Sequence, residues 1–328
     1  MQQGQIVKIH SDFYYVNSKE GLVECKVREI LKKRKDKVFV GDYVCFQNSA
    51  IEEILPRKNF IPRPSVANLD YVVIVSALRE PDLDFVQLNR YLCLSRYYSV
   101  PAVLCFNKED LEDDDFMYKK IESIYNPLGY KIFFTSAKEK LGIKELKSFL
   151  QGKTCVLCGS SGVGKSSLIN AINPGINLRT KQVSDKTKRG IHTTRHSEII
   201  EIGDIKIVDT PGFSNLKFDF LLPQDVSGLF EEISSLKPAC KYKNCLHTKE
   251  DGCAVLENLS SIDETRYKSY LEFIKEAKNF KEKIKFEGNK EETSKKLIHN
   301  REFAKLNGHK RQVARNTIKQ NLNKEVDY

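Results

Sequence analysis

Several short stretches of this chain carry residue types whose spacing could do chemistry. Gly159-Ser160-Ser161-Gly162-Val163-Gly164-Lys165-Ser166 satisfies GxxxxGK[ST], with Ser167 next in line. A loop of this kind binds phosphate: its glycines let the backbone curl so that successive N–H groups face phosphate oxygens, and a helix starting at the lysine adds its positive end. Lys165 would meet the β- and γ-phosphates, and Ser166 would offer a hydroxyl to Mg2+. Asn107-Lys108-Glu109-Asp110 has the makings of a base reader. The Asp110 carboxylate can accept both N–H donors on guanine's Watson–Crick edge, a pair adenine does not present. Asn107 would brace the base and adjoining loops, and the Lys108 stem would pack on the ring. Thr135-Ser136-Ala137-Lys138 matches a second base-contacting loop, where a backbone amide meets the base oxygen. Asp209-Thr210-Pro211-Gly212 supplies an aspartate for Mg2+ through water and a glycine amide for the γ-phosphate.

Arg189-Gly190-Ile191-His192-Thr193-Thr194 lies in a long polar segment, where a switch loop would present a threonine to Mg2+ and the γ-phosphate. Thr193 and Thr194 are both candidates. Phe213 follows the DTPG stretch, at a place where many GTPases carry a water-orienting glutamine. His192 is the nearest alternative by sequence, since a neutral imidazole can orient water; an ordinary loop histidine is the rival reading. Farther on, Cys240, Cys245, His247 and Cys253 form C-x4-C-x-H-x5-C. Three thiolates and an imidazole that close together can complete a tetrahedral zinc site with no open position, which implies a structural role. Cys155 and Cys158 also make a CxxC, but they fall inside an apolar run with no partner pair and read as small buried thiols.

The elements that must position these groups follow from the apolar pattern. Residues 4–55 alternate apolar and polar in short runs punctuated by Gly4, Gly21 and Gly41, as in a small closed or partly closed barrel such as an OB fold. Lys32-Lys33-Arg34-Lys35 would project a basic edge from it, and Pro56, Pro62 and Pro64 mark a linker. From Leu69 onward, continuous apolar runs at 71–75, 102–106, 132–134 and 155–158 alternate with helical stretches. That pattern predicts a parallel, doubly wound α/β sheet with ligands at the carboxyl ends of its strands, which is where each motif falls. Helical patterns over 261–286 and 295–322 follow the cysteine-rich segment. The expected domains are therefore a barrel over 1–65, a nucleotide-binding domain over 66–222, and a zinc-binding domain with basic helices over 223–328.

The order of the motifs is unusual. An ordinary GTPase runs phosphate loop, switch, DxxG, NKxD, SAK; this chain runs NKED, TSAK, GSSGVGKS, HTT, DTPG. One cut after the DxxG segment, with the old ends joined, produces that order and leaves the sheet and pocket intact, because permutation changes connectivity more than contacts.

Composition narrows the setting. The net charge of +10 is concentrated in the flanks, with +4 over residues 1–65 and +7 over 275–328, so the centre is close to neutral. Two basic flanks suggest a polyanionic partner, most simply nucleic acid, with solvated Lys/Glu helix faces as the alternative for the tail. No apolar run reaches the roughly 20 residues of a membrane span, and the opening MQQGQIVKIHSDF lacks the apolar stretch of an export signal. Nine cysteines in such a chain favour reduced thiols and a cytoplasmic setting.

Barrel, permuted nucleotide domain and C-x4-C-x-H-x5-C segment together resemble the ribosome small-subunit-dependent GTPase A (RsgA) family over nearly the whole chain. The resemblance implies a cytoplasmic GTP hydrolase that binds the small ribosomal subunit and its rRNA, is stimulated by it, acts late in its maturation and leaves after hydrolysis. By the same resemblance, base contacts fall on Asn107, Lys108, Asp110, Ser136 and Ala137. Phosphate contacts fall on Gly162, Gly164, Lys165, Ser166 and Ser167, and one zinc ion falls on Cys240, Cys245, His247 and Cys253. A monomer without membrane contact is expected. Two other readings stand beside it: a permuted GTPase serving another RNA or a membrane-linked process, and an RNA-binding scaffold whose nucleotide only stabilises the fold.

Overall fold

The computed structural model describes the chain apart from residues 30, 32–36, 63, 113, 176–197, 210–217, 219, 293–295, 299–300 and 304–328. Two compact units divide it, Met1–Leu216 and Lys217–Tyr328.

The first unit opens with five strands: β1 (Gln2–His10), β2 (Phe13–Ser18), β3 (Gly21–Val27), β4 (Tyr43–Gln47) and β5 (Ala50–Ile54). They pair in the order β1-β2-β3-β5-β4, and β4 returns to β1, which closes the barrel. Alternation along each strand sends Ile6, Val16, Cys25, Val44, Phe46 and Ile51 into its interior. Asp42, wholly buried, lies just before β4. It accepts from Arg57 Nε at 2.7 Å and Nη2 at 3.0 Å, and from the Phe39 amide at 2.8 Å. The guanidinium also lies over the rings of Phe39 and Phe60, 4.7 and 5.3 Å from their centroids. Burial pushes the Asp42 carboxyl above the usual range, against the pull of Arg57.

A short hairpin, β6 (Phe60–Pro62) with β7 (Ser65–Ala67), leads into the α/β layer. Its elements are β8 (Tyr71–Ala77), α1 (Phe85–Tyr97), β9 (Ala102–Asn107), α2 (Asp115–Tyr125), β10 (Lys131–Phe134), α3 (Ile143–Leu150), β11 (Thr154–Cys158), α4 (Lys165–Ile172), β12 (Glu198–Ile202) and β13 (Ile205–Asp209). The strands lie in the order β10-β9-β8-β11-β13-β12, all parallel except β12. One face is covered by Leu88, Tyr91, Ile121 and Tyr125 of α1 and α2. The other is covered by Ile143, Leu146, Leu168 and Ile169 of α3 and α4. Both faces being covered explains why these strands read as unbroken apolar runs. The permutation is visible as the step from β10, at one edge, to β11, in the centre. Edge strand β12 also pairs antiparallel with β1 of the barrel, Lys8 opposite Glu198, so one sheet of 11 strands passes through both. Lys8 Nζ lies 2.8 Å from Glu198, Asn17 Nδ2 donates to Glu201 at 2.9 Å, and Lys206 Nζ donates to Gln5 at 2.7 Å.

The second unit contains α5 (Pro223–Val226), α6 (Glu231–Leu236), α7 (Ala254–Glu257) and the long α8 (Glu264–Glu292). Phe218, Phe230, Tyr270 and Phe273 form its aromatic core, and the buried Arg266 binds Glu232 through Nε at 2.7 Å and Nη2 at 3.0 Å. The helix expected over 295–322 does not begin as one. Lys296–Ile298 and Arg301–Phe303 are instead paired antiparallel strands with two residues between them. Helix propensity is a weak term, whereas Leu297 and Ile298 are good strand residues. Residues 304–328 of that expected helix, and the basic loop at 32–35, lie outside the described residues.

Replacing Arg57 with methionine would leave the Asp42 carboxylate buried without its partner. A loss of about 3 kcal/mol is expected for Arg57→Met in urea unfolding, with recovery in the double variant that also carries Asp42→Asn.

Candidate functional site

Four parallel strands end in the four motifs. β11 runs into Gly159, whose φ of +145° and distance of 2.0 Å from a built Cβ to the Val75 carbonyl oxygen admit no side chain. Ser160, Ser161, Gly162 and Val163 follow. α4 starts at Lys165 after Gly164 at φ +93°, with Ser166 and Ser167 in its first turn. Lys165 Nζ donates to the carbonyls of Gly159 at 2.7 Å and Ser160 at 2.8 Å. The lysine therefore holds its own loop in the curled form a phosphate would meet. Burial keeps its ammonium below the ordinary lysine value.

Asn107, at the end of β9, joins this loop to the base-reading segments. Its Nδ2 donates to the Val163 carbonyl at 2.9 Å, and its Oδ1 accepts from the Ala137 amide at 3.1 Å and Thr135 Oγ1 at 3.4 Å. The contact is so close that a Cβ on Gly164 would lie 2.3 Å from Asn107 Nδ2. Asp110 is held from the other side: Ser136 Oγ donates to its Oδ1 at 2.5 Å, and Lys138 Nζ lies 3.8 Å from Oδ2. Lys108 adopts φ +65° and donates to the Glu80 carbonyl. Asn107, Ala137 and the phosphate loop are thus joined by hydrogen bonds, and Ser136, next to Ala137, holds Asp110. Asp209 ends β13, the immediate neighbour of β11. His192, Thr193, Thr194 and Gly212 lie outside the described residues.

In the second unit, Cys240, Cys245, His247 and Cys253 converge, their ligand atoms all within 4.8 Å of one another. Cys240 Sγ and Cys253 Sγ are 4.0 Å apart, and His247 Nδ1 lies 3.5 and 3.4 Å from them. A tetrahedral zinc site built on normal bond lengths has edges of about 3.8 Å between sulfurs and about 3.5 Å between sulfur and nitrogen, so the cluster is compatible with zinc. Burial pushes the Cys245 thiol up to about 12 and lowers the His247 imidazole, which favours the neutral form that can ligate. Three residues that the motif did not single out brace the turn. Glu250 accepts from the amides of Leu246, Thr248 and Lys249 at 3.1, 2.8 and 3.0 Å. Tyr267 and Tyr270 donate to the carbonyls of His247 and Leu246 at 2.9 and 2.7 Å. Burial alone would raise the Glu250 carboxyl, but the three amides outweigh it and hold it at about 2. An acidic residue three places after His247 is a signal that could have found Glu250. Cys155 and Cys158, by contrast, are fully buried in β11, and burial raises both thiols far above the reactive range.

Comparison with known proteins fits this geometry. The RsgA GTPase family model matches residues 54–219, about half of the chain, and the RsgA N-terminal domain model matches residues 3–53. The chain belongs to the RsgA GTPase family. A relative from Bacillus cereus, "Small ribosomal subunit biogenesis GTPase RsgA", is 39% identical over 86% of this chain and 99% of its own length. One of the same name from Agathobacter rectalis is 40% identical over 84% and 98%. Among solved structures, YjeQ from Thermotoga maritima is 35% identical over 84% of this chain and 98% of that one, with a TM-score of 0.74. YloQ, described as a circularly permuted GTPase, is 32% identical over 85% and 96%, with a TM-score of 0.71. As in other members of the RsgA family, the chemistry is GTP hydrolysis, which uses Mg2+ with the nucleotide. A model described as "50S ribosome-binding GTPase" matches residues 154–286. That span starts at the phosphate-loop strand and leaves out residues 107–110, as the permuted order requires. Among the described residues no helix is long and apolar enough to cross a membrane.

Gly164→Ala forces both a positive φ and a collision with Asn107, so GDP affinity measured by titration calorimetry is expected to fall about tenfold or more. Glu250 makes its own prediction. Its folded-state value lies below the usual value of about 4.3, so the stability it contributes is full above that pH and fades as pH falls toward 2. The difference in unfolding midpoint between the native chain and Glu250→Gln should be constant near neutrality and shrink below about pH 4.3.

Proposed function

We propose that this protein binds GTP in the pocket organised by Asn107 and hydrolyses it on the small ribosomal subunit, so that hydrolysis times its release from a late maturation intermediate. The convergence of NKED, TSAK and the phosphate loop on one carboxamide carries the nucleotide reading. The names of the relatives support the ribosomal one. In this reading Asp110 accepts the two guanine N–H donors, Lys108 packs along the base, and Ser136 and Ala137 meet its oxygen. Residues 159–167 wrap the phosphates, with Lys165 on the β- and γ-groups. Ser166, Asp209 and one of Thr193 and Thr194 would hold Mg2+, the Gly212 amide would meet the γ-phosphate, and His192 would orient the attacking water. Cys240, Cys245, His247 and Cys253 would hold one structural zinc ion. The barrel over 1–65 and the segment over 223–328 would contact rRNA, and the GTPase domain over 66–222 would hold the nucleotide, in a cytoplasmic monomer.

One observation favours a second partner, namely the match to a model named for the large subunit. Hydrolysis assayed alone, with small subunits and with large subunits separates the two. Stimulation by small subunits only is expected; stimulation by large subunits, or equal turnover in all three, would contradict the proposal. In the same assay His192→Ala should lower stimulated kcat by roughly a hundredfold or more, and an unchanged kcat would remove His192 from the mechanism.

A further inference from the structure

Three consecutive residues beyond β8 each hold a different part of the base-reading segment. The Leu78 amide donates to the Asn107 carbonyl at 3.1 Å, and the Glu80 carbonyl accepts from Lys108 Nζ. Between them, Arg79 Nε and Nη2 donate to Glu112 Oε2 at 3.0 Å and Oε1 at 3.2 Å. The Glu112 side chain is 1% exposed, whereas that of Arg79 is 49% exposed. Glu112 also closes the single helical turn Glu109–Leu111: its amide donates to the Glu109 carbonyl at 3.1 Å, and its Oε1 accepts from the Asp114 amide at 3.3 Å. Asp110 sits in that turn. Ser136 and Lys138 fix it on one side, and Glu112 anchors the backbone two residues away on the other.

We propose that Arg79 and Glu112 are positioning residues for guanine recognition. Two parallel charge-assisted bonds fix both the distance and the angle between two loops, which a single bond does not. The turn they fix carries the carboxylate that must meet two guanine N–H groups at once. Deprived of Arg79, the buried Glu112 carboxylate must reach water or take a proton, and either outcome shifts the turn under Asp110. Lysine reproduces the charge but not the fork. The same loop continues to Pro81, which lines a groove with Ser160 and Val163 of the phosphate loop. A general collapse of this region would therefore weaken phosphate binding too, whereas loss of the pair alone should fall on the base.

The inference rests on Asp110 reading guanine, and its test keeps the two apart. GDP and IDP differ by the exocyclic amine that Asp110 would bind, so their affinity ratio reports the base contact independently of the phosphates. Competition binding is measured on the full chain, on Asp110→Asn as the base-site control, and on Arg79→Met, Arg79→Lys and Glu112→Gln. The native chain should prefer GDP by roughly tenfold. That preference should vanish in Asp110→Asn and fall to about twofold in Arg79→Met and Glu112→Gln, with IDP, which keeps the ring N–H donor, losing less affinity than GDP. Arg79→Lys should give an intermediate ratio. Should Arg79→Met fail to fold, the Lys and Gln variants decide by the same ratio. Full GDP preference in the Arg79 and Glu112 variants, alongside its loss in Asp110→Asn, would overturn the positioning role alone. Retained preference in Asp110→Asn would overturn the base-site reading and this inference with it.

Discussion

A single carboxamide holds the nucleotide site together. Asn107 is 2% exposed and uses both ends of its side chain, donating to Val163 of the phosphate loop and accepting from Ala137 and Thr135 of the second base loop. A buried amide in this position has strict requirements, because any partner it loses leaves a polar group without water. The requirement propagates. Gly164 must be glycine because the amide occupies the space of its Cβ. The strand ends of β9, β10 and β11 must also sit at matching heights for one side chain to reach all three loops. The candidate base-reading and phosphate-binding loops are thus aligned by covalent distances within one residue.

That constraint explains why the permuted order is tolerable. The pocket depends on strand neighbours in space, β10-β9-β8-β11-β13-β12, and on Asn107 bridging them. None of these contacts requires the phosphate loop to come first. Permutation also changes what lies next to what along the chain. The strand ending in Asp209 is followed in sequence by the unit that begins at Lys217 and carries the cysteine–histidine cluster. On the other side, edge strand β12, whose first residue Glu198 lies opposite Asp209, is paired with barrel strand β1 through Lys8. Edge strands invite pairing, and here the barrel takes that place.

How much of this was legible depends on how local each rule is. Phosphate and guanine recognition demand particular residue types at fixed short spacings, so residues 107–110, 135–138 and 159–167 stood out as candidates, as did the cysteine–histidine spacing, and the fold brings each set together. The barrel announced itself by alternation, and the buried sheet by continuous apolar runs. The bracing was not legible. Glu112 with Arg79, Glu250 beneath the cysteine–histidine turn, and Tyr267 and Tyr270 on its carbonyls are ordinary surface-type residues until the fold brings their partners close. Nor does any sequence pattern foretell that β12 will pair with β1. The misread segment at 296–303 shows the converse. A helical pattern was expected there, but helix propensity is a weak term, and strand pairing between Lys296–Ile298 and Arg301–Phe303 prevails.

The most direct test of the account is calorimetric titration of GDP and ADP onto the purified full chain and onto Asn107→Ala. GDP should bind the native chain, ADP should bind at least about a hundredfold more weakly, and Asn107→Ala should lose GDP affinity by about tenfold or more while keeping its fold. Equal affinity for the two nucleotides, or undiminished GDP binding by Asn107→Ala, would contradict the claim that this carboxamide assembles a guanine-nucleotide site.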